Sequence, residues 1–253
     1  MIENLLAEPI VTAESFGDPD PPLPLFPEEE QLMAKAVAER RREFSTARAC
    51  ARRALAGLGV PPVPILPGPR GAPVWPTGVV GSMTHCLGYR AAAVARAVDM
   101  VSIGVDAEPN APLPGQAVLE LVTLPEERVR LRRLAAIRPE VCWDRLLFSA
   151  KESVYKAWYP LAGSWLDFHE ANIEVHPAAG TFTARLLVPG PFVAGNRVTH
   201  FHGGWLAEHG LLMTAVAVPH VPLDVRRSER DLRRHARESS HPCPTPQILS
   251  FHP

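Results

Sequence analysis

Apolar and polar residues alternate in two periods along the chain, and each change of period marks a change of element. Leu32, Met33, Ala36, Val37, Phe44, Ala47, Ala51 and Leu55 recur at the three-and-four spacing of one helix face, which predicts a helix over 28–56. Pro27 followed by Glu28, Glu29 and Glu30 supplies its start, because acids complement the positive end of the helix dipole. Gly57, Gly59, Pro61 and Pro62 end it. After a Pro/Gly-punctuated segment, "YRAAAVARA" and "MVSIGVDAE" read as two strands about a turn at Asp99. Helical spacing returns in "PEERVRLRRLAA" and "EVCWDRLLFSAKESVYKAWY", so 113–160 is predicted to be mostly helical. From residue 171 the period becomes two. "NIEVH" and "TFTARLLV" form one expected hairpin, and "THFHGGWLAE" and "LLMTAVAVP" a second that turns at His209–Gly210.

This order predicts an α+β protein, built as a pair of similar α+β halves, although no sequence repeat is visible. The Pro-rich segment 1–27 is expected to be irregular, with an N-terminal half over 28–105 and a C-terminal half over 106–220. Residues 221–253 lack an apolar pattern and are expected to form a flexible tail.

Composition narrows the function classes. A formal net charge of -1 over 253 residues gives no basic field, so nucleic acid is not expected as a partner. No uninterrupted apolar run reaches the roughly 20 residues of a membrane helix. The first residues carry early acids and no basic start, unlike a secretory signal, and a cytoplasmic protein is expected. Cys50, Cys86, Cys142 and Cys243 are scattered without a C-x-x-C pair, which speaks against a zinc cluster. Lys35, Lys151 and Lys156 are the only lysines in an arginine-rich chain.

Four stretches could carry chemistry. "SIGVDAEPN" ends an apolar strand on Asp106 and Glu108, which share a face roughly 6–7 Å apart. Two carboxylates so placed raise each other's pKa unless a cation intervenes, and Mg²⁺ is the obvious hard cation. Taken alone, a strand end reaching solvent explains them more simply. In "FSAKESVYKAW", Glu152 and Lys156 stand four apart, which is also the spacing of an ordinary surface pair. Ser149 and Glu152 match a capping box, but the helical pattern already runs through Cys142–Phe148 and so places Ser149 inside a helix. Two of the three lysines lie here, where arginine would serve an ordinary ion pair equally well, and that favours a functional ammonium. In "WPTGVVGSMTHCLGYRAAAVAR", Gly78, Gly81 and Gly88 flank Thr84 and His85 in an expected loop that could take a phosphate. The arginines at 40, 41, 42, 48, 52 and 53 form either a solvated face or a polyphosphate grip.

Taken together, "GSMTH", "SIGVDAEP" and "FSAKESVYKAW" in this order resemble the 4′-phosphopantetheinyl transferases, and most closely their enterobactin-type actinobacterial group. "CARRAL", "GVPPVPIL" and "KAWYPL" extend the resemblance over about residues 28–219. It implies two similar α+β halves with the active site in the cleft between them. It implies transfer of the 4′-phosphopantetheine arm of coenzyme A to a serine of apo acyl or peptidyl carrier proteins by a monomer, releasing 3′,5′-ADP. It also implies a metal site of Asp106, Glu108 and Glu152 for Mg²⁺ or Mn²⁺, with Glu152 and Lys156 catalytic. By the same resemblance Arg40 and Arg48 contact the 3′-phosphate, and Thr84, His85, Lys151 and Lys156 line the diphosphate. Two departures stand out. Pro67 replaces a basic residue before the G-x-x-G turn, with Arg70 as its expected substitute, and Ala107 offers the metal no side chain. The competing readings are a metal-dependent nucleotide pyrophosphohydrolase and an inactive carrier-binding module.

Overall fold

The structure is a computed structural model that describes residues 1–220; the expected tail, 221–253, lies outside the described residues. The chain is α+β, with two antiparallel sheets that each carry a long helix. The first sheet has the order β1-β3-β2, from β1 (Val11–Phe16), β2 (Val79–Cys86) and β3 (Tyr89–Arg96). The second has the order β4-β10-β9-β6-β5. Its strands are β4 (Met100–Pro109), β5 (Ala171–His176), β6 (Thr181–Leu186), β9 (His200–Glu208) and β10 (Leu211–Pro219). A short ribbon of β7 (Phe192–Val193) and β8 (Asn196–Arg197) stands apart from both. The two expected hairpins, β5–β6 and β9–β10, form as the period-two pattern predicts. Among the described residues no helix is long and apolar enough to cross a membrane.

Two expectations need correction. The segment 1–27 is not wholly irregular, because Val11–Phe16 pairs with β3 and turns Val11 and Ala13 toward the first core. High proline content masked a short strand there. The single helix over 28–56 is two helices, α1 (Pro27–Leu32) and α2 (Ala38–Gly57). Glu29 explains the break: it is wholly buried, accepts the Phe26 and Ile65 N–H groups, and pairs with Arg52 of α2 at 2.9 Å. That pairing holds α1 beside α2. β3 and β4 flank the turn at Asp99 as expected, and they belong to different sheets.

β2 lies beside β4, and hydroxyls join them. Ser82 Oγ accepts the Val105 N–H at 3.1 Å and Thr84 Oγ1 accepts the Ala107 N–H at 3.0 Å. The remaining helices, α3 (Gln116–Val122), α4 (Pro125–Ile137) and α5 (Trp143–Ala162), belong to the second half. Its core packs Leu146, Leu147, Val154 and Trp158 of α5 against Ile173, Phe182, Phe201 and Leu212 of the sheet.

α5 lies unusually close to β4 and β10. Ser102 Oγ donates to the Ala157 carbonyl at 2.7 Å, and Thr214 Oγ1 donates to the Ser149 carbonyl at 2.9 Å. A Cβ at Gly104 would stand 1.9 Å from the Ser153 carbonyl oxygen and 2.7 Å from the Ala157 nitrogen. Backbone atoms cannot rotate out of the way, so Gly104→Ala must push the helix off the sheet. Overpacking of this kind costs about 1–3 kcal/mol or more, and a thermal melt is expected to show Tm falling by several degrees. An unchanged Tm would mean that the helix does not need this close approach.

Candidate active site

The close docking of α5 on β4 brings strand acids and helix charges together. Lys156 Nζ donates to Asp106 Oδ1 at 2.7 Å and to the Val105 carbonyl at 3.0 Å. Thr84 Oγ1 donates to the same Asp106 oxygen at 3.3 Å. The other oxygen, Asp106 Oδ2, is buried and has no hydrogen-bond partner among the described residues. Two residues along the strand, Glu108 Oε2 accepts from Arg145 Nη1 at 2.9 Å. Burial first, and then the neighbouring Asp106 charge, push the Glu108 and Glu152 carboxyls above their ordinary pKa. Lys156 offsets part of that effect at both.

Thr84, Glu152 and Lys156 line a cavity of about 820 Å³ between α2, β2 and α5. Arg40, Phe44 and Arg48 of α2 form another wall, joined by Arg70, His85, Tyr155 and Tyr159. Arg48 is buried. Its Nε donates to the Ile65 carbonyl at 2.7 Å and its guanidinium lies 4.0 Å from the centre of the Phe44 ring. Burial lowers its pKa to about 10, as it does for a cation without a close carboxylate. Arg40 Nη1 stands 3.3 Å from His85 Nε2. The imidazole touches solvent at the cavity mouth, yet the surrounding walls limit its hydration. That desolvation and the Arg40 charge hold its pKa below the ordinary value. Arg70 takes a left-handed conformation, φ 55, and its guanidinium lies 5.6 Å from the centre of the Trp165 ring.

The run of arginines therefore divides. Arg40 and Arg48 reach the cavity, whereas Arg41 pairs with Glu30, Arg52 with Glu29, and Arg53 with the Glu14 carbonyl. "GSMTH" is part of β2 rather than a loop, paired residue by residue with β3. Gly81 serves close packing, since a Cβ there would meet the Ala93 carbonyl oxygen at 2.6 Å. It is the Thr84 and His85 side chains, not a cradle of loop amides, that reach the cavity.

Lys151 is not brought to that cavity. Its ammonium is buried, donating to Glu127 Oε2 at 2.8 Å and to the Phe168 carbonyl at 2.6 Å. Sequence reading missed Arg145, Ser82 and Glu127, and no local signal marks them. Tyr155 and Tyr159 could have been found, because they stand four apart on the helix that carries Glu152 and Lys156.

The donor set suits a hard divalent cation. Asp106 presents an unpartnered buried oxygen, and two further carboxylates nearby are held above their ordinary pKa. Among the described residues no group of three His, Cys, Asp or Glu side chains is close enough together to hold a metal ion unaided.

Comparison with known proteins identifies the family. The family model of the 4'-phosphopantetheinyl transferase N-terminal domain matches residues 28–95, and that of the 4'-phosphopantetheinyl transferase superfamily matches residues 102–208. The chain is 62% identical over 220 residues to 4'-phosphopantetheinyl transferase Svp of Streptomyces mobaraensis, covering 86% of this chain and 89% of that protein. It is 50% identical over 225 residues to Npt of Nocardia iowensis, covering 86% and 99%. It is 46% identical over 215 residues to PptT of Mycobacterium tuberculosis, covering 83% and 93%. Family models in both halves and full-length relatives of one name lead to one conclusion: the chain belongs to the 4′-phosphopantetheinyl transferases and is an enzyme of that family.

Proposed function

We propose that this enzyme moves the 4′-phosphopantetheine arm of coenzyme A onto a serine of apo carrier proteins, with Mg²⁺, releasing 3′,5′-ADP. The observation that carries the reading is the pairing of an acid seat with a cationic cavity. Asp106, Lys156 and Glu152 stand at one side, and Arg40, Arg48 and Arg70 line the walls. Arg48, with no carboxylate in contact, suits the 3′-phosphate, and Arg40 stands one helical stretch away on the same face. Thr84, His85 and Arg70 suit the diphosphate. Lys151 takes no part in this reading, because its ammonium is satisfied elsewhere.

Asp106, Glu108 and Glu152 would hold Mg²⁺, which when bound neutralises charge on the diphosphate. Glu152 takes the proton from the attacking serine hydroxyl, directly or through a water. The serine oxygen bonds to the phosphorus that carries the pantetheine arm as the bond to the departing nucleotide phosphate breaks. Lys156 stabilises the negative charge on that departing oxygen.

Incubation with coenzyme A, Mg²⁺ and an apo carrier protein, followed by mass spectrometry of the carrier, tests this. A gain of one phosphopantetheine group is expected. Release of phosphopantetheine to water would instead indicate a pyrophosphohydrolase. Binding of coenzyme A with no reaction on several carriers would indicate a binding module.

His85 gives a pH signature. Desolvation, and then the Arg40 charge, disfavour the charged form of its imidazole in the free protein. Phosphate oxygens nearby favour the charged form, so its pKa rises on binding and the complex takes up a proton. Affinity for coenzyme A is therefore expected to gain as pH falls through that raised pKa toward the lower pKa of the free protein. Calorimetry in buffers of different ionisation heat should give a larger proton uptake for the wild type than for His85→Gln. Equal uptake by both would place His85 away from the phosphates.

A further inference from the structure

Arg145 belongs to the first turn of α5 and has no role in the reading above. Its guanidinium is held on three sides. Nη1 donates to Glu108 Oε2 at 2.9 Å, Nε to the Ala111 carbonyl at 3.2 Å, and Nη2 to the Pro112 carbonyl at 3.0 Å. This is not a loose surface pair: the Glu108 and Arg145 side chains are only 19% and 20% exposed. The loop after β4 does not depend on Arg145 alone, because Asp144 Oδ2 accepts the Leu113 N–H at 2.9 Å and Asn110 bonds the Cys142 N–H at 2.9 Å. The Nη1 contact to Glu108 thus adds nothing that the loop requires.

Its effect is electrostatic. Arg145, Glu152 and Lys156 stand seven and four residues apart along α5, on one face of the helix. Lys156 neutralises Asp106 and Arg145 neutralises Glu108. Of three acids, two are already paired with cations. The site therefore meets a free divalent cation with little net negative charge, although one buried Asp106 oxygen lacks a hydrogen-bond partner.

We infer that Arg145 is a positioning residue that holds Glu108 in an ion pair which a divalent cation must share or displace, and so keeps metal affinity low until a diphosphate ligand adds its own charge. This inference rests on the reading of Asp106, Glu108 and Glu152 as the metal seat. Arg145 reaches Glu108 across 37 residues of chain, so no local pattern announces it.

The probe is Mn²⁺, whose free signal in electron paramagnetic resonance is read during titration of the full chain, with and without coenzyme A and without carrier. Removing a guanidinium in contact with a ligand carboxylate is expected to tighten Mn²⁺ binding by the coenzyme-A-free Arg145→Ala protein on the order of tenfold. Coenzyme A should tighten the wild type more than it tightens Arg145→Ala. In a Glu108→Gln background the Arg145→Ala change should have little effect, because the pair it breaks is already gone. A thermal melt confirms that each variant is folded. Weaker or unchanged Mn²⁺ binding by folded Arg145→Ala would overturn the inference, as would an equal gain in the Glu108→Gln background. Failure of the metal reading looks different. In that case the wild type binds no Mn²⁺ even with coenzyme A, or binds it undiminished in Asp106→Ala and Glu152→Gln, and the inference falls with it.

Discussion

Replacement of Glu127 by Ala is expected to lower Tm by on the order of 10 °C. Glu127 is wholly buried at the start of α4 and accepts hydrogen bonds from three groups. Oε2 accepts the Leu124 N–H at 2.7 Å and the Lys151 ammonium at 2.8 Å, and Oε1 accepts the Ile173 N–H at 2.7 Å. Lys151 in turn donates to the Phe168 carbonyl at 2.6 Å. One carboxylate thus ties α4 to α5 and to β5. Its loss leaves a buried ammonium with one carbonyl, and breaking such a pair costs about 3–5 kcal/mol. At about 2–4 °C per kcal/mol for a domain of this size, the shift follows. Lys151→Met leaves the carboxylate with its two N–H donors and should cost less. It should also leave affinity for coenzyme A unchanged, since Lys151 does not line the large cavity. A variant that keeps its Tm and loses coenzyme A affinity would return Lys151 to the ligand set that the family resemblance implies.

The second large effect is on turnover. Asp106→Ala and Glu152→Gln are each expected to lower kcat by at least about 10²–10³, the range for removing one group that acts on transition-state charge. Their melting curves should stay near the wild type. Asp106→Ala releases Lys156, but that ammonium is partly exposed to the cavity and keeps the Val105 carbonyl, so little desolvated charge is stranded. Glu152→Gln retains the shape of the side chain and removes its charge and basicity. Mass spectrometry of the carrier over time measures both. Near-full activity of Glu152→Gln at saturating Mg²⁺ would remove it as the base, and near-full activity of Asp106→Ala would remove it as a metal ligand.

Local periodicity made much of this legible. The strand that ends on Asp106 and Glu108, the helix that carries Glu152 and Lys156, and both C-terminal hairpins follow from spacing alone. Lysine scarcity singled out Lys156, which does meet Asp106. It singled out Lys151 equally, and that residue instead serves the buried junction with Glu127. Scarcity marks a residue as unusual without saying whether an ammonium is needed for a ligand or for an acid in the core.

The sequence by itself determined which faces are apolar, the type of each strongly periodic segment, and the chemical character of each candidate side chain. Tertiary structure alone decided which candidates meet. The break between α1 and α2 depends on Glu29 reaching Arg52, and the placement of "GSMTH" in a strand depends on β3 lying beside it. Arg145 reaches Glu108 and Lys156 reaches Asp106 only because Gly104 lets α5 settle against β4. Periodicity records how one segment meets solvent or core. Ion pairs such as Lys151–Glu127, 24 residues apart, and Arg145–Glu108, 37 apart, depend on how two segments meet each other, and that is set only when the sheets and helices pack.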